Sequence, residues 1–263
     1  MMKLDLHVHT VLSRDSAIPV HRNVAKVLRR RGLDGAAITD HDRLDNVARL
    51  SRILEREGMI AVPGEEVKTE GGGEILCYFI TETIPRGTWE EVIDAVRSQG
   101  GIAVLAHPFD YIRGNWMRWL VRDARTPGNV LSRVDGLETF NARNYSPGGN
   151  RIARDLASKS GKIAIAGSDA HNLFELGCAW TGIEEPVSST EDVLVAIRRG
   201  RVSACRSEHL PWVPLPGRGA RRACGAVVKK AFSGLNSTLP GFKHWRAARD
   251  ATPFNGKRGK TRS

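Results

Sequence analysis

The chain lacks the marks of several large protein classes. No window in its 263 residues reaches the run of about 18 apolar residues that a membrane span needs. The opening Met1-Met2-Lys3-Leu4-Asp5 runs directly into a charged, histidine-bearing segment, unlike a secretory leader, so a cytoplasmic protein with no membrane contact is expected. There are only four cysteines, Cys77, Cys178, Cys205 and Cys224, and no CxxC pair. A disulfide framework is therefore not expected, and the four read as small buried hydrophobes or free thiols. Neither a GxSxG elbow nor a glycine-rich P-loop is present, so covalent serine chemistry and nucleotide-driven chemistry have no support. Internal repeats are absent as well.

What is present is an ordinary globular composition, 41% hydrophobic and 26% charged, in a chain long enough for one α/β barrel domain. The net charge of +11 is unevenly placed. From Arg201 to Ser263 there are 14 Lys and Arg against two acids, Glu208 and Asp250, a net of +12, while residues 1–200 carry a net of −1. After about Ser207 periodicity fades among prolines and glycines and the chain closes on Lys257-Arg258-Gly259-Lys260-Thr261-Arg262. Residues 1–207 are thus expected to fold as one domain, with 208–263 a basic, disordered extension.

Within 1–207, strands and helices alternate. Strands are expected at Lys3–Val8, Gly35–Thr39, Ile60–Val62, Ile75–Ile80, Ile102–Leu105, Gly136–Phe140 and Ile163–Ala166. Helices are expected at Val20–Arg31, Asn46–Glu57, Thr88–Gln99, Asn150–Ser158 and Thr190–Arg199, the third opening with a Thr88/Glu91 capping box. Such alternation argues for a parallel sheet covered by helices, as an open α/β sheet or a β/α barrel.

The chemistry gathers beside these strands. Asp5-Leu6-His7-Val8-His9 places two imidazoles two residues apart, hence on one side of an extended chain, a good bite for a transition metal. Asp15 follows in a polar loop. Thr39-Asp40-His41-Asp42, Pro63-Gly64-Glu65-Glu66, Glu74 after Gly71-Gly72-Gly73, Ala106-His107-Pro108 and Gly167-Ser168-Asp169-Ala170-His171 complete the set. Five of the eight histidines lie in these clusters, and one histidine alone would read as a buried or capping residue. Five beside acids and near strand ends read as a site, because β/α barrels collect catalytic groups at the C-terminal ends of their strands. His21, His209 and His244 lack such company and read as surface residues.

The same residues resemble the PHP (polymerase and histidinol phosphatase) superfamily. The likeness spans Lys3 to about Arg201 and rests on DLHVHT (5–10), Asp15, TDHD (39–42), PGEE (63–66), AHPFD (106–110), FNARN (140–144) and GSDAH (167–171). It implies a distorted (β/α)7 TIM-like barrel holding two or three divalent ions of manganese, iron or zinc. Carried over by position, one ion would take His7, His9, Glu66 and Asp169, and a second Asp15, His41 and His171. A third would share Glu66 and add His107 and Glu74; position 74 is often His in the family, and a carboxylate there hardens the site toward manganese or iron.

Asp40 and Asp42 are expected to support metal-bound imidazoles rather than ligate. With Asp40, Arg113 and Arg143 are the expected catalytic side chains, the arginines offering forked donors to phosphate. Asn141 is expected to ligate or to hydrogen-bond substrate, and the Trp116–Trp119 patch to pack in the core or a lid rather than to stack a base.

The resemblance implies phosphoester hydrolysis by a metal-activated hydroxide, most readily of nucleotides or short oligonucleotides, with RNA contact through the basic tail. Two alternatives remain: a histidinol-phosphatase-like small-molecule phosphatase, and a non-catalytic, metal-stabilised module that binds RNA or protein.

Overall fold

The computed structural model describes residues 1–45, 47–110, 116, 120, 129–145 and 148–206. Nine strands form one sheet: β1 (Met2–Asp5), β2 (Gly35–Ile38), β3 (Ile60–Lys68), β4 (Glu74–Tyr78), β5 (Ile102–Leu105), β6 (Gly136–Asn141), β7 (Ile163–Gly167), β8 (Ala179–Ile183) and β9 (Val202–Arg206). The described helices are α1 (Asn23–Arg30), α2 (Val47–Arg56), α3 (Trp89–Ser98), α4 (Val130–Arg133), α5 (Gly149–Ser160) and α6 (Thr190–Arg198). Across the sheet the order is β7-β6-β5-β4-β3-β2-β1-β8-β9.

The ends of this sheet curl toward each other into a nearly closed barrel. Thr181 of β8 exchanges hydrogen bonds with the backbone of Ala166 in β7, at 2.8 and 2.9 Å. Beyond the strands, Val8 bridges Ala170, His9 N donates to Ala170 O (3.1 Å) and Asp169 N donates to His7 O (2.8 Å). These bonds zip the chain after β1 to the chain after β7. The expected α/β barrel is therefore the fold observed.

Its sheet is mixed, which corrects the expectation of parallel pairing. β1–β2, β2–β3, β5–β6 and β6–β7 are parallel, but β4 runs antiparallel to both β3 and β5. The cause is the short link between β3 and β4: Gly71, Gly72 and Gly73 adopt φ of +81°, +93° and +98° and reverse the chain. A tight turn joins antiparallel neighbours, whereas a parallel return needs a crossover of a dozen residues or more. β3 is also longer than its apolar start suggests. Its first half pairs with β2 and its second half, from Gly64 on, pairs with β4. β8 and β9, absent from the expected strands, add antiparallel beside β1.

Helices pack on the outside in the expected order, within a few residues of their expected bounds. The α3 capping box forms as read: Thr88 Oγ1 accepts from Glu91 N, while the Glu91 carboxylate accepts from Thr88 N. One core cluster joins Leu4, Ala37, Val62, Leu76, Val104 and Ile165 from six strands to Val193 and Ile197 of α6. Another joins Ile75, Cys77 and Leu105 to Val92, Ile93 and Val96 of α3. Cys77 and Cys178 are buried and Cys205 half-buried, all as free thiols, while Cys224 lies outside the described residues. No described helix is long and apolar enough to cross a membrane. The basic extension 208–263 also falls outside the described residues.

One close approach fixes how the ends of β1 and β7 meet. A Cβ at Gly167, the last residue of β7, would lie 2.3 Å from His7 Cβ. Gly167→Ala is expected to cost about 1–3 kcal/mol by overpacking and to lower the thermal midpoint by several degrees. Calorimetry showing an unchanged midpoint would contradict that tight fit.

Candidate metal centre

The ends of the strands at one pole bring all nine expected ligands into one contiguous set of contacts. His7 and His9 follow β1, His41 follows β2 and His107 follows β5, while Asp169 and His171 follow β7. Glu66 lies inside β3, and Glu74 opens β4 rather than closing it. Because β4 is reversed, its start lies at the same pole as the ends of its neighbours, with Glu74 opposite Lys68. The triple-glycine turn is thus what delivers Glu74 to the site.

The innermost group is His7, His9, Glu66 and Asp169, each at most 1% exposed. His7 Nε2 and His9 Nε2 lie 3.0 Å apart. Glu66 Oε2 is 3.4 and 3.3 Å from them, and Asp169 Oδ1 is 3.8 and 3.4 Å. Ligands about 2.1 Å from a tetrahedral ion would be about 3.4 Å apart, close to these separations.

The protons fit the same reading. His7 Nδ1 is 2.9 Å from Glu138 Oε1, and a carboxylate oxygen accepts, so Nδ1 carries the proton and Nε2 keeps its lone pair. Ser13 Oγ donates to Asp40 Oδ1 (2.7 Å), so its own lone pairs accept from His9 Nδ1 (3.1 Å) and from His41 N. In the neutral ring His9 Nε2 is then also an acceptor. With both rings neutral, two lone pairs and two carboxylate oxygens face one another out of water, an arrangement that positive charge, as protons or as a bound cation, relieves.

The titration of the group reflects this demand. Burial pulls His7 and His9 down, yet Glu138, Asp169 and Glu66 outweigh it at His7 and hold it well above the usual range. At His9 the hydrogen bonds to Asp169 and Glu66 do the same and push it up to about 9. Burial would raise Glu66, but His7 and the hydrogen bonds from His107, His7 and His9 hold it well below the carboxylate range.

Two further groups adjoin the first. Asp15 Oδ2 lies 3.1 Å from His171 Nε2 and 3.5 Å from His41 Nε2, and with His9 these imidazoles could hold an ion. His171 Nδ1 donates to Asp169 O at 2.9 Å, leaving its Nε2 open. Glu66 Oε1 is 3.0 Å from His107 Nε2, which is 3.4 Å from Glu74 Oε2, while Glu66 Oε2 is 3.2 Å from His41 Nδ1. Glu66 thus touches His7, His9, His41 and His107. Glu65, one residue earlier, has alternate strand facing: its Oε1 accepts from Ile84 N, and burial pushes its pKa up to about 7.

Several expected roles change. Neither Asp40 nor Asp42 accepts from an imidazole. Asp40 takes Thr10 N and Thr10 Oγ1, both at 2.6 Å, and reaches His9 only through Ser13. Asp42 accepts from Lys68 N and from the Arg86 guanidinium. Asn141 donates to Glu138 Oε2 and to Asp169 Oδ2, both at 3.0 Å, so it braces the site's own carboxylates. Trp116 keeps its expected core place: it is fully buried and its indole donates to Glu74 O at 3.0 Å, under the glycine turn, while Trp119 lies outside the described residues. Arg143 is present beside the site, with Nη1 on Glu175 at 3.0 Å, Nη2 on Tyr145 Oη at 3.4 Å and Nε buried without a partner among the described residues. Arg113 lies outside the described residues.

Two supporting residues escaped the sequence reading. Glu138 is fully buried and holds His7 Nδ1–H on one oxygen, His107 N (2.7 Å) and Asn141 on the other. Its signal was a lone carboxylate inside the otherwise uncharged strand Gly136–Asn141. Asp5 belongs to the first motif but had no role; it accepts from Ser168 N, Ser168 Oγ, Gly177 N and His7 N. Burial pushes it up to about 6 against those donors, and it clasps the GSDAH loop to β1.

A family model described as PHP-associated matches residues 147–202. The uncharacterized protein MJ0417 of Methanocaldococcus jannaschii is 33% identical over 186 residues, 70% of this chain and 71% of that protein. Among solved structures, a two-domain protein from Bacteroides vulgatus containing a predicted PHP-like metal-dependent phosphoesterase superposes with a TM-score of 0.62. It is 17% identical and covers 85% of this chain and 68% of its own. The lesion-specific endonuclease PfuEndoQ from Pyrococcus furiosus superposes at 0.51 with 14% identity, over 77% of this chain and 57% of that one. At these identities both structural likenesses are of fold.

If Glu138 fixes the His7 tautomer, Glu138→Gln should weaken divalent-metal binding about 10–100-fold while the fold persists. Calorimetric titration with Mn²⁺ and Zn²⁺ reads this directly; wild-type affinity in the variant would refute the role.

Proposed function

Because the chain belongs to the PHP superfamily, we propose that it is a hydrolase of phosphate esters that works with two or three divalent ions. The observation that carries this reading is the inward-facing set of acceptors, His7 Nε2, His9 Nε2, Glu66 Oε2 and Asp169 Oδ1, at separations close to those of ligands around one ion. These four would hold one ion. Asp15, His41 and His171 would hold a second, and Glu66, His107 and Glu74 a third. The oxygen and imidazole donors suit manganese, iron or zinc. Ions so held would supply Lewis acidity toward a phosphoryl oxygen and lower the pKa of a bound water.

The protein's own part is positioning and charge. Glu138, Ser13 and the Asp169 carbonyl set three imidazole tautomers before any substrate arrives. Arg143 supplies a cation beside Asp169. Burial opposes its charge, but Asp169 and Glu175 outweigh burial and keep it protonated. Anchored on Glu175 and Tyr145, the guanidinium is held beside Asp169 as a fixed positive charge for a phosphate oxygen as charge grows there. Asp40 acts at one remove, by fixing Ser13 and hence His9.

For the substrate, nucleotides or short oligonucleotides are the reading favoured by the fold shared with a lesion-specific endonuclease and by the +12 segment 201–263, which would attract a phosphate backbone.

Purified protein with Mn²⁺ should hydrolyse p-nitrophenyl phosphate and short oligonucleotides, and His107→Ala should lose about 100-fold or more in turnover while remaining folded. A folded wild-type chain inactive with every divalent metal would overturn the proposal. RNA affinity unchanged by removing residues 208–263 would overturn the tail's part in it.

A further inference from the structure

At the pole opposite the metal centre lies a separate cavity of about 480 Å³. It opens where three strands begin: Ile102 and Ile163 are the first residues of β5 and β7, and Asp135 immediately precedes β6. Its size falls within the range of about 300–1,000 Å³ typical of small-molecule sites. Gly100, Gly101 and Gly161 line it without side chains, and no aromatic ring is among the described lining residues. Its charged groups are Arg97, Lys162 and Arg198 against the single acid Asp135. The metal centre uses none of them.

Each of the three cations is anchored by a backbone carbonyl of a neighbouring element. Arg198, at the end of α6, donates through Nη2 to Gly100 O at 2.6 Å, just past α3. Arg97, in the last turn of α3, donates through Nη2 to Arg133 O at the end of α4. Lys162, between α5 and β7, donates to Val134 O at 2.7 Å and to Ser132 O at 3.4 Å. Among the described residues none of the three forms an ion pair with an acid. Lys and Arg near a helix C-terminus ordinarily satisfy that helix's own last carbonyls. These reach across to other elements instead, and so three positive charges gather around one hollow.

The carbonyls fix the charges in place without cancelling them. An ammonium has three donors and a guanidinium five, so each group keeps donors for a ligand. Asp135 does not balance the set, and its Oδ2 already accepts from Ala103 N at 2.8 Å. Burial pulls the half-buried Lys162 below its usual range; Asp135 opposes that and Arg97 adds to it, a repulsion that a bound anion would relieve.

We propose that this hollow is a binding site for a compact polyvalent oxyanion, held by Lys162, Arg97 and Arg198. With no ring to stack a base, charge and hydrogen bonds select the ligand. Phosphate-type and carboxylate-type anions share this chemistry. The site stands apart from the metal centre and does not depend on the hydrolase reading.

The test is calorimetric titration of the full, metal-free chain with inorganic phosphate, pyrophosphate and citrate at constant ionic strength. At least one should bind with a Kd of about 1 mM or tighter, and the preferred anion tells a phosphoryl ligand from a carboxylate one. Lys162→Gln and Arg198→Gln should each weaken that binding about tenfold, and Lys162→Arg should restore most of it. Arg198 is exposed, so Arg198→Gln keeps the test open if Lys162→Gln does not fold. No binding by any of the three anions would overturn the site. So would affinity that is unchanged in the folded variants, or that falls with Arg143→Gln instead, which would put the anion at the metal pole.

Discussion

Buried lone pairs that face one another need positive charge between them, and most of the barrel's polar architecture follows from that need at His7, His9, Glu66 and Asp169. The effective penalty for burying an ion is several kcal/mol when it is not compensated. This fold buries Glu66, Asp169 and Glu138 almost completely. Each imidazole is turned so that its Nδ1 proton is used up on the outer side, on Glu138 for His7 and on Ser13 for His9. With the rings neutral, the inner side then presents acceptors only. A divalent ion satisfies that arrangement with one species, where protons would have to be shared among several groups.

The topology serves the same end. Parallel strands deliver His41, His107, Asp169 and His171 to one pole, and the reversed strand Glu74–Tyr78 delivers its first residue there instead of its last. Glycine makes that reversal possible. At Gly73 (φ +98°) a Cβ would lie 2.6 Å from the Trp116 ring, and the Trp116 indole in turn holds the Glu74 carbonyl. Positive φ at His107 (+25°) and Asp169 (+55°) shows strained backbone at the site, held by His107 N on Glu138 and by Asp169 N on His7 O.

Much of this was legible from residue order. His7 and His9 read as a pair because side chains two apart share a face, and the capping box at Thr88 was a local signal with a local outcome. The antiparallel β4 was hidden because strand direction is set by the link, and three glycines do not by themselves announce which way the chain returns. The strands Ala179–Ile183 and Val202–Arg206 were missed because Ala-Trp-Thr-Gly-Ile and Val-Ser-Ala-Cys-Arg alternate weakly. Glu138 and Asp5 were overlooked as functional because their importance lies in partners 131 and 163 residues away, His7 and Ser168. The roles of Asp40 and Asp42 were misjudged for a related reason: adjacency to His41 in sequence did not become contact with its ring.

A cation at the point toward which the four buried acceptors converge would satisfy them together. Anomalous diffraction from crystals grown in Mn²⁺ tests it most directly. A peak about 2.0–2.2 Å from His7 Nε2, His9 Nε2, Glu66 Oε2 and Asp169 Oδ1 is the predicted result. Well-ordered density for all four side chains with no peak among them, at saturating metal, would contradict it.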